Sequence, residues 1–291
     1  GVGVVERDDA GRAASTRRLA RLHRVERDAA LDGLARAPQP VPASAWLLPD
    51  PDRADPDGVV GVGADLAPGT LVDAYRRGLF PWPHPGVPLP WFSPDPRGVV
   101  RADSLHLSRS LRRRLRTCGW TTTVDAAFRD VVAGCAADRG DGQGSWITGA
   151  MARAYGRLHG LGWAHSLEVW DDGRLVGGLY GVQVGGVFTG ESMFHRTTDA
   201  SKVALADLVA RFHAAGGRLF DVQLTTPHLR SLGAQDLPRE RFLGVLAGAR
   251  QLDVRLATGR RPVARLDVTS DRTRTTGERA VNRYPAHLRG G

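Results

Sequence analysis

The chain has 291 residues, 42% of them hydrophobic, which is enough for a buried core and for two modest domains or one domain with tails. It contains no apolar run of about eighteen residues, which excludes a helical membrane span. The net charge is +9, but residues 258–291 hold eight Arg and three acids, and residues 1–40 hold eight Arg and six acids, so the remainder is only +2 and a polyanionic partner requires a local patch.

The N-terminal stretch is charged and lacks an apolar leader, so a cytoplasmic rather than a secreted protein is expected. Cys118 and Cys135 show neither metal-ligand spacing nor a disulfide framework, and read as reduced thiols. Lys202 is the single Lys among 40 basic residues. A site that needs a compact ammonium would retain it against the Arg bias; chance survival is the alternative.

Residues 1–42 are rich in Ala, Arg and Asp, end in Pro38-Gln-Pro-Val-Pro42, and are expected to form a mobile extension. Residues 43–103, rich in Pro, Gly and Trp, read as a small N-terminal domain with one helix from Pro68 to Gly78, where Leu71, Ala74 and Tyr75 are in phase. Residues 104–257 form the main domain. A helix begins near Ser108, and a second covers 125–137 with Phe128, Val131, Val132 and Cys135 on one face. Gly149 to Gly160 is helical, with Met151, Ala154, Tyr155 and Leu158 in phase. Ala164 to Trp170 alternates as a strand. Leu175 to Val184 and Val187 to Phe194 form a hairpin through Gly185-Gly186. Ser201 caps a helix reaching about Ala215, Arg218 to Leu224 is a strand, and Arg239 to Arg250 is a last helix. Residues 258–291 lack periodicity and are expected to be a disordered tail. This order predicts an α/β (α+β) fold with a largely antiparallel sheet and flanking helices. It is compatible with an acetyltransferase-type fold without singling that fold out.

Four stretches carry candidate chemistry. In Gly190-Glu-Ser-Met-Phe194 an acid sits between large apolar side chains, where a plain core strand has no use for a charge. Asp221 and Gln223 project from the same face of a strand, as an exposed edge or as a cleft wall. The Pro-stiffened segment from Phe80 to Arg97 presents Trp82 and Trp91 either as a plug or as a platform on which a base stacks. From Ser108 to Arg116, Arg109, Arg112, Arg113, Arg114 and Arg116 fan around a stripe of Leu107, Leu111 and Leu115. That all-positive face suits phosphates, the alternative being a solvated surface. No phosphate loop, nucleophile elbow or dinucleotide fingerprint is present. The nine His lack metal-ligand spacing, and His159 and His165 read as helix-end and strand-end residues.

Taken together, these stretches resemble the bacterial leucyl/phenylalanyl-tRNA–protein transferases. The likeness is carried by Tyr75-Arg-Arg-Gly-Leu-Phe-Pro-Trp82, Trp91-Phe-Ser-Pro-Asp-Pro-Arg97, Leu105-His-Leu-Ser-Arg-Ser-Leu111, Trp146-Ile-Thr148, Tyr155-Gly-Arg-Leu-His159, Ala164-His-Ser-Leu-Glu-Val-Trp170, Leu175-Val-Gly-Gly-Leu-Tyr-Gly181, Gly190 to Phe194, Ala200-Ser-Lys202, Asp221-Val-Gln223 and Ser231-Leu-Gly-Ala234. They span about residues 43 to 250 in family order; Val222 replaces a Cys common in the family.

The resemblance implies an acetyltransferase-type catalytic domain behind a small N-terminal domain, and transfer of Leu, Phe or Met from aminoacyl-tRNA (Leu-tRNA, Phe-tRNA) to proteins beginning with Arg or Lys, marking them for degradation. It implies no cofactor and no metal, because the aminoacyl ester is already activated. By the same resemblance Asp221 and Gln223 lie at the reacting centre, with Gln223 orienting the amine and Asp221 fixing its amide. Glu191 meets the cationic end of the acceptor. Phe188, Met193, Leu179 and Phe220 line the side-chain pocket, and Trp82 with Trp146 stacks the terminal adenine. Arg109, Arg112, Arg113, Arg114, Arg116 and Lys202 bind tRNA phosphates. A monomer is the default expectation. The competing readings are an acyl-CoA-dependent N-acetyltransferase and a non-catalytic RNA-binding module.

Overall fold

The computed structural model describes residues 33–137 and 146–266. Its centre is the hairpin of β7 (Arg174–Val184) and β8 (Val187–His195), joined by Gly185-Gly186. Gly185 has φ +55°, and a Cβ there would lie 2.5 Å from the Ala249 carbonyl oxygen, so the turn admits only glycine. On one side β6 (Ala164–Asp171), β5 (Thr121–Val124) and β11 (Arg261–Pro262) extend the sheet; on the other come β9 (Leu219–Gln223), β4 (Arg97–Val100) and β10 (Gln235–Leu237). All neighbours are antiparallel except β8 and β9, which are parallel and joined through the crossover helix α5 (Ala200–Ala214).

The parallel pair is short. It holds only at Val187/Leu219, Phe188/Phe220 and Thr189/Asp221. Beyond it β8 bulges at Glu191, since Tyr180 faces Ser192 and Gly181 faces Gly190, and the two strands part. A small second sheet of β1 (Val59–Val62), β3 (Pro90–Phe92) and β2 (Phe80–Pro81) adjoins the large one.

Apolar residues fill both faces of the large sheet. One face is covered by α1 (Pro68–Arg76), α3 (Phe128–Ala136), α4 (Gly149–Gly160) and α7 (Arg239–Ala249), packed on Tyr180, Val182, Val187 and Leu219. The other is covered by α2 (Arg109–Leu115) and α5, packed on Leu179, Phe188 and Phe220. A short helix α6 (Pro227–Ser231) lies between β9 and β10. The architecture is the expected mixed α/β, acetyltransferase-type arrangement, with seven α-helices among the described residues.

Three expectations about boundaries change. Residues 33–42 are attached: Leu34 bridges Ala257, the Ala35 amide donates to the Leu256 carbonyl at 2.8 Å, and Trp163 Nε1 donates to the Gln39 carbonyl. Residues 258–266 close the sheet through β11, and Thr258 donates to the Gly33 carbonyl, because the edge of β5 otherwise lacks a partner. The strand β4 lies on the near side of the expected 103/104 boundary, yet it is interior to the large sheet, and the core on that face runs from Leu71 and Trp91 to Tyr155 without a break. The expected mobile and disordered segments at 1–32 and 267–291 lie outside the described residues. The crossover helix starts one residue before Ser201. Its N-cap position is Asp199 at φ +74°, and Ser201 Oγ instead faces His195 Nδ1 at 3.4 Å.

Candidate active site

The polar residues of β8 and β9 that face α1 and α4 meet where the two strands part. Asp221 is fully buried, and its carboxylate is filled by protein donors. Arg97 of β4 grips it through Nε at 2.8 Å and Nη2 at 2.7 Å, Thr189 Oγ1 donates at 3.0 Å, and the Gln223 backbone N–H donates at 2.8 Å. The Arg97 guanidinium is clamped between the rings of Phe80 and Phe242, 4.9 and 4.4 Å from their centroids, and donates to the Gly78 carbonyl. A buried pair is tolerable when its polar atoms are partnered; here each Asp221 oxygen takes two donors and each Arg97 nitrogen makes a hydrogen bond.

Asp221 and Gln223 share a face, as strand alternation requires. The division of labour differs from the expectation: Asp221 holds the backbone of Gln223, whereas the side-chain amide of Gln223 donates to Glu191 Oε1 at 2.9 Å. Gln223 has φ +64°, a left-handed conformation uncommon for a non-glycine residue, and the Asp221 contact over-determines it.

Glu191, expected to meet a cationic acceptor directly, is enclosed at 8% exposure. Tyr75 of α1 contacts Oε1 at 2.7 Å and Tyr155 of α4 contacts Oε2 at 2.8 Å; the two hydroxyls are 2.7 Å apart. Burial raises Glu191 to about 7, opposed by the hydrogen bonds of the two phenols; the Asp221 charge adds to the rise and Arg97 counters it. Burial and the nearby Glu191 push both phenols well above their usual range.

The apolar candidates lie elsewhere. Phe188, Leu179 and Phe220 are buried on the opposite face of the sheet, Phe188 stacked on Phe220 with centroids 5.1 Å apart. They come together with each other but not with Glu191, because neighbouring strand residues alternate faces. Met193 is half-buried at the edge of that cluster.

Trp82 is half-buried against His84 and Phe92, 5.5 Å from each ring centroid. Trp146 is half-buried on the same core face. On α2, Ser108 caps the helix and Leu111 and Leu115 are buried, leaving Arg109, Arg113 and Arg116 exposed. Arg112 donates to the Leu107 carbonyl. Arg114 lies over the Trp120 ring and 3.6 Å from Asp199, to which Lys202 also donates at 2.8 Å. Two of the expected phosphate ligands therefore share an internal acid.

Asp125, His159 and His165 place potential ligand atoms within 4.8 Å of one another. Their bonds are nonetheless used internally: His165 Nδ1 contacts Asp125 Oδ2 at 2.8 Å, the Ser166 amide donates to Oδ1, and His159 Nδ1 contacts the Ala164 carbonyl at 2.9 Å. The set fits a structural clasp between α4, β5 and β6.

Sequence reasoning gave no role to Tyr75, Tyr155, Arg97 or Thr189. The available signal was a phenol in core phase on each of two helices, since a buried Tyr hydroxyl requires a partner.

Comparison with known proteins gives a consistent result. Residues 99–247 match the family described as leucyl/phenylalanyl-tRNA protein transferase, and residues 64–95 match its N-terminal domain. A leucyl/phenylalanyl-tRNA–protein transferase of Chromohalobacter salexigens is 52% identical over 208 residues, covering 71% of this chain and 81% of the relative. Proteins of the same description from Xanthomonas campestris pv. campestris and Idiomarina loihiensis are 52% and 50% identical, over 70% and 68% of this chain and 82% and 84% of their own.

Proposed function

This chain belongs to the leucyl/phenylalanyl-tRNA protein transferase family, and from that premise we propose how its residues divide the work. It is an aminoacyltransferase that moves Leu or Phe from a tRNA ester to a protein. We take the acceptor to be an N-terminal Arg or Lys and the outcome to be marking for degradation. Met is a further donor side chain. The reaction belongs in the cytoplasm, where charged tRNA is found; no helix among the described residues is long and apolar enough to cross a membrane. The protein acts as a monomer.

The observation that carries this reading is the convergence of Glu191, Gln223 and Asp221 where β8 and β9 part. An aminoacyl ester is already activated, so the enzyme's task is to hold amine and ester at bonding distance. Gln223, half-exposed and rigidly held, orients the attacking amine through its amide oxygen, because its Nε2 is committed to Glu191. Asp221 acts from behind it, fixing backbone and strain. Glu191 supplies negative charge beside the acceptor. Met193 admits the Leu or Phe side chain toward Phe188, Leu179 and Phe220. Trp82 and Trp146 stack the terminal adenine. Arg109, Arg113 and Arg116 take the acceptor-stem phosphates, with Arg112, Arg114 and Lys202 behind them.

An acyl-CoA reading finds no support. The segment that opens the crossover helix is His195-Arg-Thr-Thr-Asp199, which has no glycine to bring backbone amides against a pyrophosphate. The test is incubation with radiolabelled Leu-tRNA or Phe-tRNA and a peptide beginning with Arg. Label appears in the peptide; its absence, with tRNA retained, leaves only an RNA-binding module.

A further inference from the structure

Three oxygen–oxygen contacts close a ring at the site: Tyr75 to Glu191 Oε1 at 2.7 Å, Glu191 Oε2 to Tyr155 at 2.8 Å, and Tyr155 to Tyr75 at 2.7 Å. Each contact is at hydrogen-bond distance and requires one proton. The two phenols supply two. With Glu191 ionised, both phenols donate to the carboxylate, and the Tyr75–Tyr155 contact holds two buried oxygens together with no hydrogen between them, which is repulsive. With a proton on Glu191, the acid donates to one phenol, that phenol to the other, and the second back to the carboxyl, so all three contacts are satisfied. The fourth neighbour, Gln223 Nε2, only donates and cannot fill the missing place.

We infer that this closed ring is the proton-loaded form of Glu191, and that Glu191 is the proton acceptor of the transfer step, with Tyr75 and Tyr155 as positioning residues that close the ring once the proton arrives. This rests on the transferase reading above. In the balanced step, the acceptor's amine nitrogen bonds to the ester carbonyl carbon, and the ester C–O bond to the ribose breaks. An N–H proton passes to the Glu191 carboxylate, and the acid returns it to the departing ribose oxygen. Gln223 couples the two tasks, since its amide touches Glu191 while its carbonyl oxygen is left for the amine.

The groups facing Glu191 are Tyr75 from α1, Tyr155 from α4, Tyr180 from β7, Asp221 and Gln223 from β9, and Arg97 from β4. Their balance, dominated by burial, leaves the carboxyl at about 7, where both protonation states are populated near neutrality, as a base with a returnable proton requires.

Infrared difference spectroscopy tests the proton directly, on wild-type protein against Glu191→Gln. A protonated carboxyl C=O stretch that the Gln variant lacks is expected at about pH 5.5, fading toward about pH 9; no such band at the acidic end overturns the proton assignment. Tyr155→Phe and Tyr75→Phe shift the midpoint of that titration, and an unmoved midpoint overturns their positioning role. Single-turnover transfer tests the catalytic part. The acceptor amine, with its own pKa of about 7.7–8.0, must also be unprotonated. The wild-type log rate therefore falls with pH at a slope approaching two on the acidic side, and Glu191→Gln reduces that slope to one and the rate by roughly 10²–10⁴-fold. A variant with the wild-type rate, or with a slope of two, overturns the assignment. If wild-type enzyme moves no label, the transferase reading has failed; the infrared result is independent of that outcome.

Discussion

Arg97 and Asp221 stand 124 positions apart in sequence and meet through two parallel hydrogen bonds of 2.8 and 2.7 Å, both side chains sealed from solvent. The pair ties β4 to β9 at the point where Gln223 leaves the sheet. Asp221→Ala therefore does more than release the Gln223 backbone, because it leaves the Arg97 charge buried and unpaired. The expected result is a loss of about 3–5 kcal/mol in denaturant unfolding together with loss of transfer. Arg97→Ala does much the same, and the double variant is less destabilised than the sum of the two, since each single change already breaks the unit. Additive losses would mean the two act separately.

Gln223 carries a different signature. Its φ of +64° is held by the Asp221 contact to its own amide nitrogen. Replacement by Gly relaxes the backbone and replacement by Ala does not, so Gln223→Gly is the more stable of the two by roughly 1 kcal/mol, the reverse of an ordinary strand position. Both lose transfer, because both lose the amide. Thermal unfolding and the peptide-labelling assay read the two effects apart; an Ala variant that matches Gly in stability would show the conformation to be unstrained.

These two residues also mark the limit of what the sequence discloses. Glu191, Asp221 and Gln223 stand out as polar side chains in apolar strands, and the long elements are legible because periodicity runs through them: α4 and the β7–β8 hairpin lie within a residue or so of the expected limits. The strands β2, β3, β10 and β11 have only two or three residues, too few for any period, and exist because a distant partner offers free backbone groups. Tyr75 and Tyr155 read as core residues, which they are; their hydroxyls acquire a role only when α1 and α4 converge on one acid. Arg97 lies at the end of a Pro-rich loop in the sequence, and its burial follows only from β4 lying inside the sheet. Strand alternation alone sets Phe188 and Phe220 across the sheet from Glu191 and Asp221, whereas Met193, two positions after Glu191, would share its face but for the bulge at residue 191, which the sequence does not disclose.

The Arg-rich helix separates into two classes. Arg109, Arg113 and Arg116 are exposed, whereas Arg112 and Arg114 hold the Leu107 carbonyl and Asp199. Substituting the exposed three by Glu weakens tRNA binding and reduces the slope of log K against log salt by roughly one for each phosphate no longer neutralised, with the thermal midpoint nearly unchanged. Arg114→Ala acts mainly on the Asp199 cluster and leaves the slope closer to wild type. An unchanged slope in the triple variant would return this helix to an ordinary solvated face.

A second buried acid makes the stability of the fold depend on pH. Glu168 of β6 is completely enclosed, accepts from Ser166 Oγ, Thr123 Oγ1 and the Ala126 amide, and is raised to about 7, chiefly by burial, with its hydroxyl partners opposing. The unfolded chain loses this proton near 4.5 and the folded chain holds it to about 7. Between those values the native state binds more protons than the unfolded state, so stability falls as pH rises and then levels off. The stability is fully present below about 4.5 and is lost as pH passes through about 7. Glu168→Gln keeps the shape and presents an amide that can serve Ser166 and Thr123 without a charge. Its stability relative to wild type therefore improves across this window by an amount on the order of 3 kcal/mol, with little further change at higher pH. Urea unfolding of both proteins at acidic, neutral and mildly alkaline pH measures the difference, and a constant gap between them would show that Glu168 titrates no differently in the folded and unfolded chains.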